Sequence, residues 1–235
     1  RMRILNLKDT HELGLKASTI VKNELLKNPK LLLCAATGNS PLPLYQQLAE
    51  EIKRKTILFQ QIRVLTLDEW VGLSTPVGSC DSFLQEHFIK PLKISKDRYF
   101  SFNTSADNLT DECLRMQEVL KKQGPLDLCI LGLGKNGHLG FNEPAAKLEP
   151  HCHVANLTDQ SQQHSMIEYS MSKPTQGITL GIQDILSSKR ILLLVSGTGK
   201  EEAKKQLLSG RISSEWPASI LWKHNNVDCL VTSNN

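Results

Sequence analysis

Four short, nearly continuous apolar runs constrain this chain more than any other feature: LLLCAA (31–36), LDLCILGLG (126–134), KRILLLV (189–195) and VDCLVT (227–232). Each reads as a strand, and the continuous run LLLCAA as one buried on both faces. Stretches with helical spacing lie between them. Asp9 and Glu12 mark a helix start, after which Leu13, Ala17, Ile20, Val21 and Leu25 recur on one face. PLPLYQQLAEEIKRK carries Leu44, Leu48 and Ile52, with Pro41 and Pro43 tolerable in a first turn. Ser79 is placed to cap GSCDSFLQEHFIKPL, and Thr110 to cap DECLRMQEVLKK. EEAKKQLLSG reads as a helix ended by Gly210. IRVLTLDEW reads as one strand ending in acids, RYFSF as a short strand, QGITLGIQDIL as a strand, and MRILNL as an edge strand or a lead-in.

Strands alternating with helices imply a three-layer α/β/α, Rossmann-like domain: a mostly parallel sheet with helices on both faces. A length of 235 residues with 40% hydrophobic content suits a single such domain over 1–235. Residues 145–176 break the alternation. They are polar, carry His151, His153 and His164, and show no sustained period, as expected of a lid or an irregular excursion.

Ligands of such sheets bind beyond the carboxyl ends of the strands. Four loops there combine Gly with acids or bases: TGNSP (37–41), LDEW (67–70), GLGKNGHLGFNEP (132–144) and SGTGK (196–200). TGNSP leads into a helix N-terminus, so its free N–H groups favour an anion; the plain alternative is a turn with Ser40 as cap. SGTGK lacks the Gly and Ser/Thr positions of a Walker A loop, where Leu194 and Glu201 stand. Lys200 opposes the dipole at a helix start, which a bound anion explains better than solvent does. In LDEW, Asp68 or Glu69 could serve as general base, cap or ion-pair partner.

Gly132, Gly134 and Gly137 satisfy G-x-G-x-x-G, but Gly140 and Pro144 interrupt any following helix, and NLTDQSQQ replaces the acid-tipped second strand. No dinucleotide cofactor is expected. His138 and Glu143 instead form an acid–base pair suited to moving protons near neutral pH. His151 and His153 lack the companion ligands of a tetrahedral metal site, so no metal is expected.

Composition narrows the partners. With 28 Lys and Arg against 24 Asp and Glu, the net charge is +4. The densest basic run, Lys53, Arg54 and Lys55, reads as a solvated helix end, so no nucleic acid is expected. No apolar stretch spans a bilayer and no signal pattern is visible in a chain beginning at Arg1. Six scattered cysteines without C-x-x-C read as reduced thiols of a cytoplasmic protein. Trp216 and Trp222 read as packing residues. A homo-oligomer is left open.

Taken together, DEWVGL, GLGKNGHLGFNEP and TGNSP resemble the glucosamine-6-phosphate deaminase family over nearly the whole chain. GHLGFNEP is the most specific piece, since the related 6-phosphogluconolactonases lack FNEP. LDLCILGLGKNGHLGFNEP, ITLGIQDIL and PASILWKHNN are most similar to the galactosamine-6-phosphate deaminase/isomerase branch. The resemblance implies a cofactor-free isomerisation of a hexosamine 6-phosphate with loss of ammonia. In that scheme His138 opens the ring, Glu143 orients His138, and Asp68 carries the C2 proton to C1. Thr37, Gly38, Asn39, Ser40, Gly134 and Lys200 hold the substrate and its phosphate. The chain departs from the family where Asn136 replaces a common Asp, which leaves Asn136 a positioning role only. It also has no Arg at 163–167, where His164 is the available substitute, and its end soon after the last strand implies no activation by N-acetylglucosamine 6-phosphate. Two alternatives are a 6-phosphogluconolactonase-like hydrolase, which needs no C2 base, and a non-catalytic sugar-phosphate sensor.

Overall fold

The structure, a computed structural model, describes residues 1–54, 59–168, 170 and 173–233. Within these residues, seven strands form one parallel sheet. They are β1 (Met2–Leu7), β2 (Leu32–Ala35), β3 (Arg63–Thr66), β5 (Tyr99–Phe100), β6 (Leu128–Gly132), β9 (Arg190–Val195) and β10 (Val227–Thr232), in the order β1-β10-β9-β6-β2-β3-β5. A second, antiparallel sheet joins β4 (Asp68–Val71), β8 (Gln176–Thr179) and β7 (His153–Asn156) in the order β4-β8-β7. MRILNL is thus an edge strand, paired with β10.

The apolar runs alternate between two cores. Leu32 and Cys34 of β2, Cys129 and Leu131 of β6, and Ile191 and Leu193 of β9 enter one. Leu33 and Ala35, Leu128 and Ile130, and Leu192 and Leu194 enter the other. Helices α4 (Leu109–Gln123), α6 (Ile182–Leu186) and α7 (Glu201–Leu208) cover the first through Cys113, Met116, Ile185, Ala203 and Leu207. Helices α1 (Thr10–Lys27), α2 (Leu42–Lys53) and α3 (Cys80–Leu84) cover the second through Leu13, Ala17, Leu44, Leu48 and Leu84. A strand buried on both faces has no polar side to spare, which is why its sequence reads as a block.

Helix boundaries follow local chemistry. Asp9 caps α1 by accepting from the Glu12 N–H at 2.9 Å, and Ser79 caps α3 by accepting from Ser82 at 3.0 Å. Asn108, rather than Thr110, caps α4: its side chain accepts from the Asp111 N–H at 3.2 Å, and the helix begins at Leu109. Pro41 occupies the position before α2, so Ser40 is not its cap. QGITLGIQDIL holds the strand β8 and then α6, because Asp184 turns back to accept from the Gly181 N–H at 2.8 Å and starts a helix. Lys55 of the basic run lies outside the described residues, as do 169, 171 and 172 of the 145–176 segment. The six cysteines are unpaired, five of them buried. No described helix is long and apolar enough to cross a membrane.

IRVLTLDEW is two strands, not one. The chain leaves the parallel sheet after Thr66 and continues from Asp68 in the antiparallel sheet. The 145–176 segment supplies β7 and the short helix α5 (Asp159–Gln162), so it is more regular than its composition implies. Its strand pairs with β8, and β8 pairs with β4, so the segment is tied to the carboxyl end of β3 through a sheet whose edge carries Asp68.

Leu33 sits at the centre of the sheet between β3 and β6 with no exposed surface. Leu33→Ala is expected to lower unfolding free energy by about 2–5 kcal/mol through lost burial and the cavity left behind. Equilibrium urea unfolding measures this.

Candidate active site

Strand order reverses around β2, whose neighbours are β3 on one side and β6 on the other. A crevice opens where such a reversal sends adjacent connections to opposite faces. The cavity at this point has a volume of about 730 Å³ and is lined by Thr37, Gly38, Asn39, Ser40, Asp68, Gly134, His138, His164 and Lys200. The structure therefore brings together loops far apart in the chain; Ser40 and Lys200, for example, are 160 positions apart. Asn136 and Glu143 stand behind the lining, in contact with His138.

One part of the cavity is shaped for an anion. Gly38, at φ 109°, lets the chain turn sharply after β2 in a conformation other residues resist. Ser40 Oγ donates to the Ser196 carbonyl at 3.3 Å, accepts from the Ser196 N–H at 3.3 Å and lies 3.2 Å from Lys200 Nζ. These contacts bind the TGNSP and SGTGK loops together. Lys200 is pushed down to about 8, chiefly by burial and then by Lys204 and Lys135. A buried ammonium beside other cations favours the arrival of a negative group. His164 is also lowered, first by burial and then by His138, Lys200 and Lys135. Its Nδ1 accepts from the Met166 N–H at 3.1 Å, which assigns the proton of the neutral ring to Nε2.

The other part is an acid–base centre. Asp68 is buried at 8% exposure, and its carboxyl is pushed up to about 7 by burial and by Glu69, against the opposing influence of His138 and the Cys80 thiol. That value poises it between acid and base near neutrality. Glu69, its neighbour, has a structural job. Its carboxylate accepts from the backbone N–H groups of Trp70 (2.9 Å), Cys80 (2.8 Å) and Asp81 (2.8 Å), anchoring the start of α3.

His138 Nδ1 lies 3.4 Å from Glu143 Oε2, within ion-pair distance but too far for a good hydrogen bond, so this buried nitrogen makes none here. Glu143 is itself held by Asn136 Nδ2 at 3.0 Å and by Ser161 Oγ at 2.5 Å. Burial works to raise the Glu143 carboxyl, but His138, Ser161 and Asn136 together leave it below the usual range. Asn136 also accepts from the His138 backbone N–H at 3.2 Å. Gly134 is required by space: a Cβ there would lie 2.3 Å from His138 Cδ2, inside the ring's own volume.

Sequence reasoning missed Ser161, which sits in a polar stretch with no motif of its own. It also left Lys135 unassigned beside its more conspicuous neighbours, although Lys135 lines the cavity. His151 is paired with Asp184 (3.2 Å), and His153 contacts the His151 carbonyl (2.7 Å). Among the described residues no group of three or more His, Cys, Asp or Glu side chains is placed to hold a metal ion. Trp222 donates to the Leu207 carbonyl at 2.7 Å, and Trp216 packs over Gly137.

A switch-point cavity with a carboxylate poised near neutrality and a braced His define this chain as a Rossmann-like α/β enzyme. Comparison with known proteins gives the family. The family described as glucosamine-6-phosphate isomerases/6-phosphogluconolactonase matches residues 10–230. The chain belongs to that family. AgaI of Escherichia coli (strain K12), which carries a provisional deaminase name, is 42% identical over 93% of this chain and 87% of its own. Glucosamine-6-phosphate deaminase 1 of Bacillus subtilis (strain 168) is 36% identical over 98% and 96%. A solved monomeric glucosamine-6-phosphate deaminase superposes with a TM-score of 0.93 at 36% identity, covering 99% of this chain and 98% of that one. A 6-phosphogluconolactonase from Thermotoga maritima shares the fold with a TM-score of 0.77 at 20% identity.

The raised Asp68 carboxyl has a consequence for stability. Its proton is held more tightly in the folded chain than in the unfolded one, so its contribution is full below the ordinary carboxylate range and is lost as pH rises to about 7. Asp68→Asn removes this dependence. Measured by urea unfolding at pH 5 and pH 8, the variant should gain on the wild type as pH rises; a constant difference would place the Asp68 proton elsewhere.

Proposed function

We propose that this chain is a hexosamine-6-phosphate deaminase/isomerase, converting galactosamine 6-phosphate to tagatose 6-phosphate, or glucosamine 6-phosphate to fructose 6-phosphate, with release of ammonia. The observation that carries the reading is Asp68, buried and raised to about 7, in the same cavity as the Glu143-backed His138. A lactone hydrolase has no use for a base at C2; an aldose–ketose isomerase does. Curated relatives with deaminase names at 36% and 42% identity support it.

In the proposed reaction the closed sugar phosphate sets its phosphate on Gly38, Asn39, Ser40 and Lys200, with Thr37, Gly134 and His164 along its length. His138 moves a proton from the O1 hydroxyl to the ring oxygen, opening the ring. Glu143 stabilises the charge His138 carries in between, and Asn136 and Ser161 hold Glu143 in place. Asp68 removes the C2 proton to give an enolamine and returns it at C1. The C2 imine so formed adds water and releases ammonia, leaving the ketose phosphate. These are proton transfers and a hydrolysis, for which the reading calls on no cofactor. Residues 1–235 act as one domain in this proposal, with 145–176 as its lid. The lid brings Ser161 to Glu143 and His164 to the cavity.

The direct test is incubation with each hexosamine 6-phosphate while ammonia and ketose phosphate are measured. Ammonia from neither would sink the proposal, and hydrolysis of 6-phosphogluconolactone would replace it with the lactonase reading. Asp68→Asn should lower kcat by about 10² or more and stop exchange of the C2 proton with solvent deuterium while binding persists. Exchange retained in that variant would remove Asp68 from the base role.

Because the base must be ionised, kcat/KM should rise with pH through about 7, the Asp68 value in the free enzyme. A pH–rate profile whose acid limb falls in the ordinary carboxylate range would contradict it.

A further inference from the structure

Lys135 lies inside the loop that carries the acid–base pair, one residue before the Asn136 brace and three before His138. It is exposed at the cavity wall, and its side chain reaches the SGTGK loop. Gly199 in that loop leaves the room it occupies: a Cβ at Gly199 would stand 3.1 Å from Lys135 Cε and 3.3 Å from its Nζ. The ammonium therefore hangs over the segment between Ser196 and Lys200. Its field reaches both other groups at this end of the cavity. After burial, it is among the influences that hold the His164 imidazole and the Lys200 ammonium below their ordinary values. Two lysines and a histidine thus converge on one space. The two ammonium groups repel one another, and an arriving dianion attracts both, while the neutral His164 can donate to it from Nε2.

We propose that Lys135 is a second phosphate-binding cation, delivered to the anion end of the cavity by the same loop that carries His138. The inference deepens the deaminase reading and rests on it for the identity of the phosphate's sugar. Lys200 approaches from the helix α7 side, fixed to Ser40 at 3.2 Å. Lys135 approaches from the β6 side on a long arm. A phosphate dianion held between them would span the two loops and hold the 132–144 loop in the position that sets His138 against the sugar. Asn136 passes that restraint on, since it holds both the His138 backbone and Glu143. A non-phosphorylated amino sugar would leave Lys135 without a counter-charge and the loop without its tether.

The test compares Lys135→Ala, Lys135→Arg and Lys121→Ala, the last removing an equal charge from an exposed site on α4. Affinity for inorganic phosphate is measured by calorimetry, and KM for the hexosamine 6-phosphate by ammonia release. Lys135→Ala is expected to weaken phosphate binding and raise KM by about tenfold, as for loss of a charge-assisted contact, with Lys135→Arg restoring part of both and Lys121→Ala changing neither. Unchanged phosphate affinity in Lys135→Ala would overturn the proposal. So would an equal loss in Lys121→Ala, which would reduce the effect to net charge. Phosphate calorimetry separates this inference from the activity: if neither hexosamine phosphate releases ammonia but phosphate affinity still falls in Lys135→Ala, the deaminase reading fails and the Lys135 site stands.

Discussion

Everything at this site depends on a parallel sheet releasing its strands at one edge. β2, β3, β6 and β9 run the same way, so their loops must emerge together, however far apart they lie in the chain. The reversal of strand order around β2 then parts the loops and leaves a cavity among them. Ser40 and Lys200 stand 160 positions apart yet meet at 3.2 Å for this reason. The two cores on either side of the sheet hold the strands in register. The chemistry is thus built on loops whose ends are fixed by the best-packed part of the molecule.

Burial in this cavity acts on charges of both signs. It raises the Asp68 carboxyl toward neutrality and lowers the Lys200 ammonium, moving a base and a cation toward the range where each can exchange its proton or its partner. The two effects oppose each other in net charge but share one cause, the removal of both groups from water. In the proposed reaction, a phosphate would meet the cationic end of the cavity and the sugar carbons would lie toward Asp68. Glu69 shows the contrast. It is the adjacent residue and equally buried, but three backbone N–H groups occupy its oxygens, so it anchors a helix and offers nothing to a substrate.

Much of this was legible in the sequence because it follows from short-range chemistry. Blocks such as LLLCAA can be satisfied only between two layers, and the Gly-rich loops after them gave the cavity wall from Thr37 to Lys200. What was hidden depends on tertiary pairing. Leu67 looks like the middle of one strand in IRVLTLDEW, and only the second sheet shows that the chain changes partners there. Asn108 and Thr110 are both good caps; which one is used depends on where α4 packs. Ser161 carries no pattern, because a hydroxyl in a polar stretch acquires meaning only when Glu143 is brought to 2.5 Å from it.

Asn136 holds the loop around His138 together, and the geometry explains how an amide serves there. Two contacts must be met at once: Glu143 Oε2 needs a donor and the His138 N–H needs an acceptor. An amide has one of each, and only one of its two orientations satisfies both, so its placement is determined. A carboxylate at this position could accept from His138 but would set a second negative charge against Glu143, and one of the two would then hold a proton. With Asn136 in place, the negative charge behind His138 rests on Glu143 alone, lowered by its three partners. The braced pair is therefore His138 and Glu143, and the amide, by fixing backbone and carboxylate together, sets the distance between them.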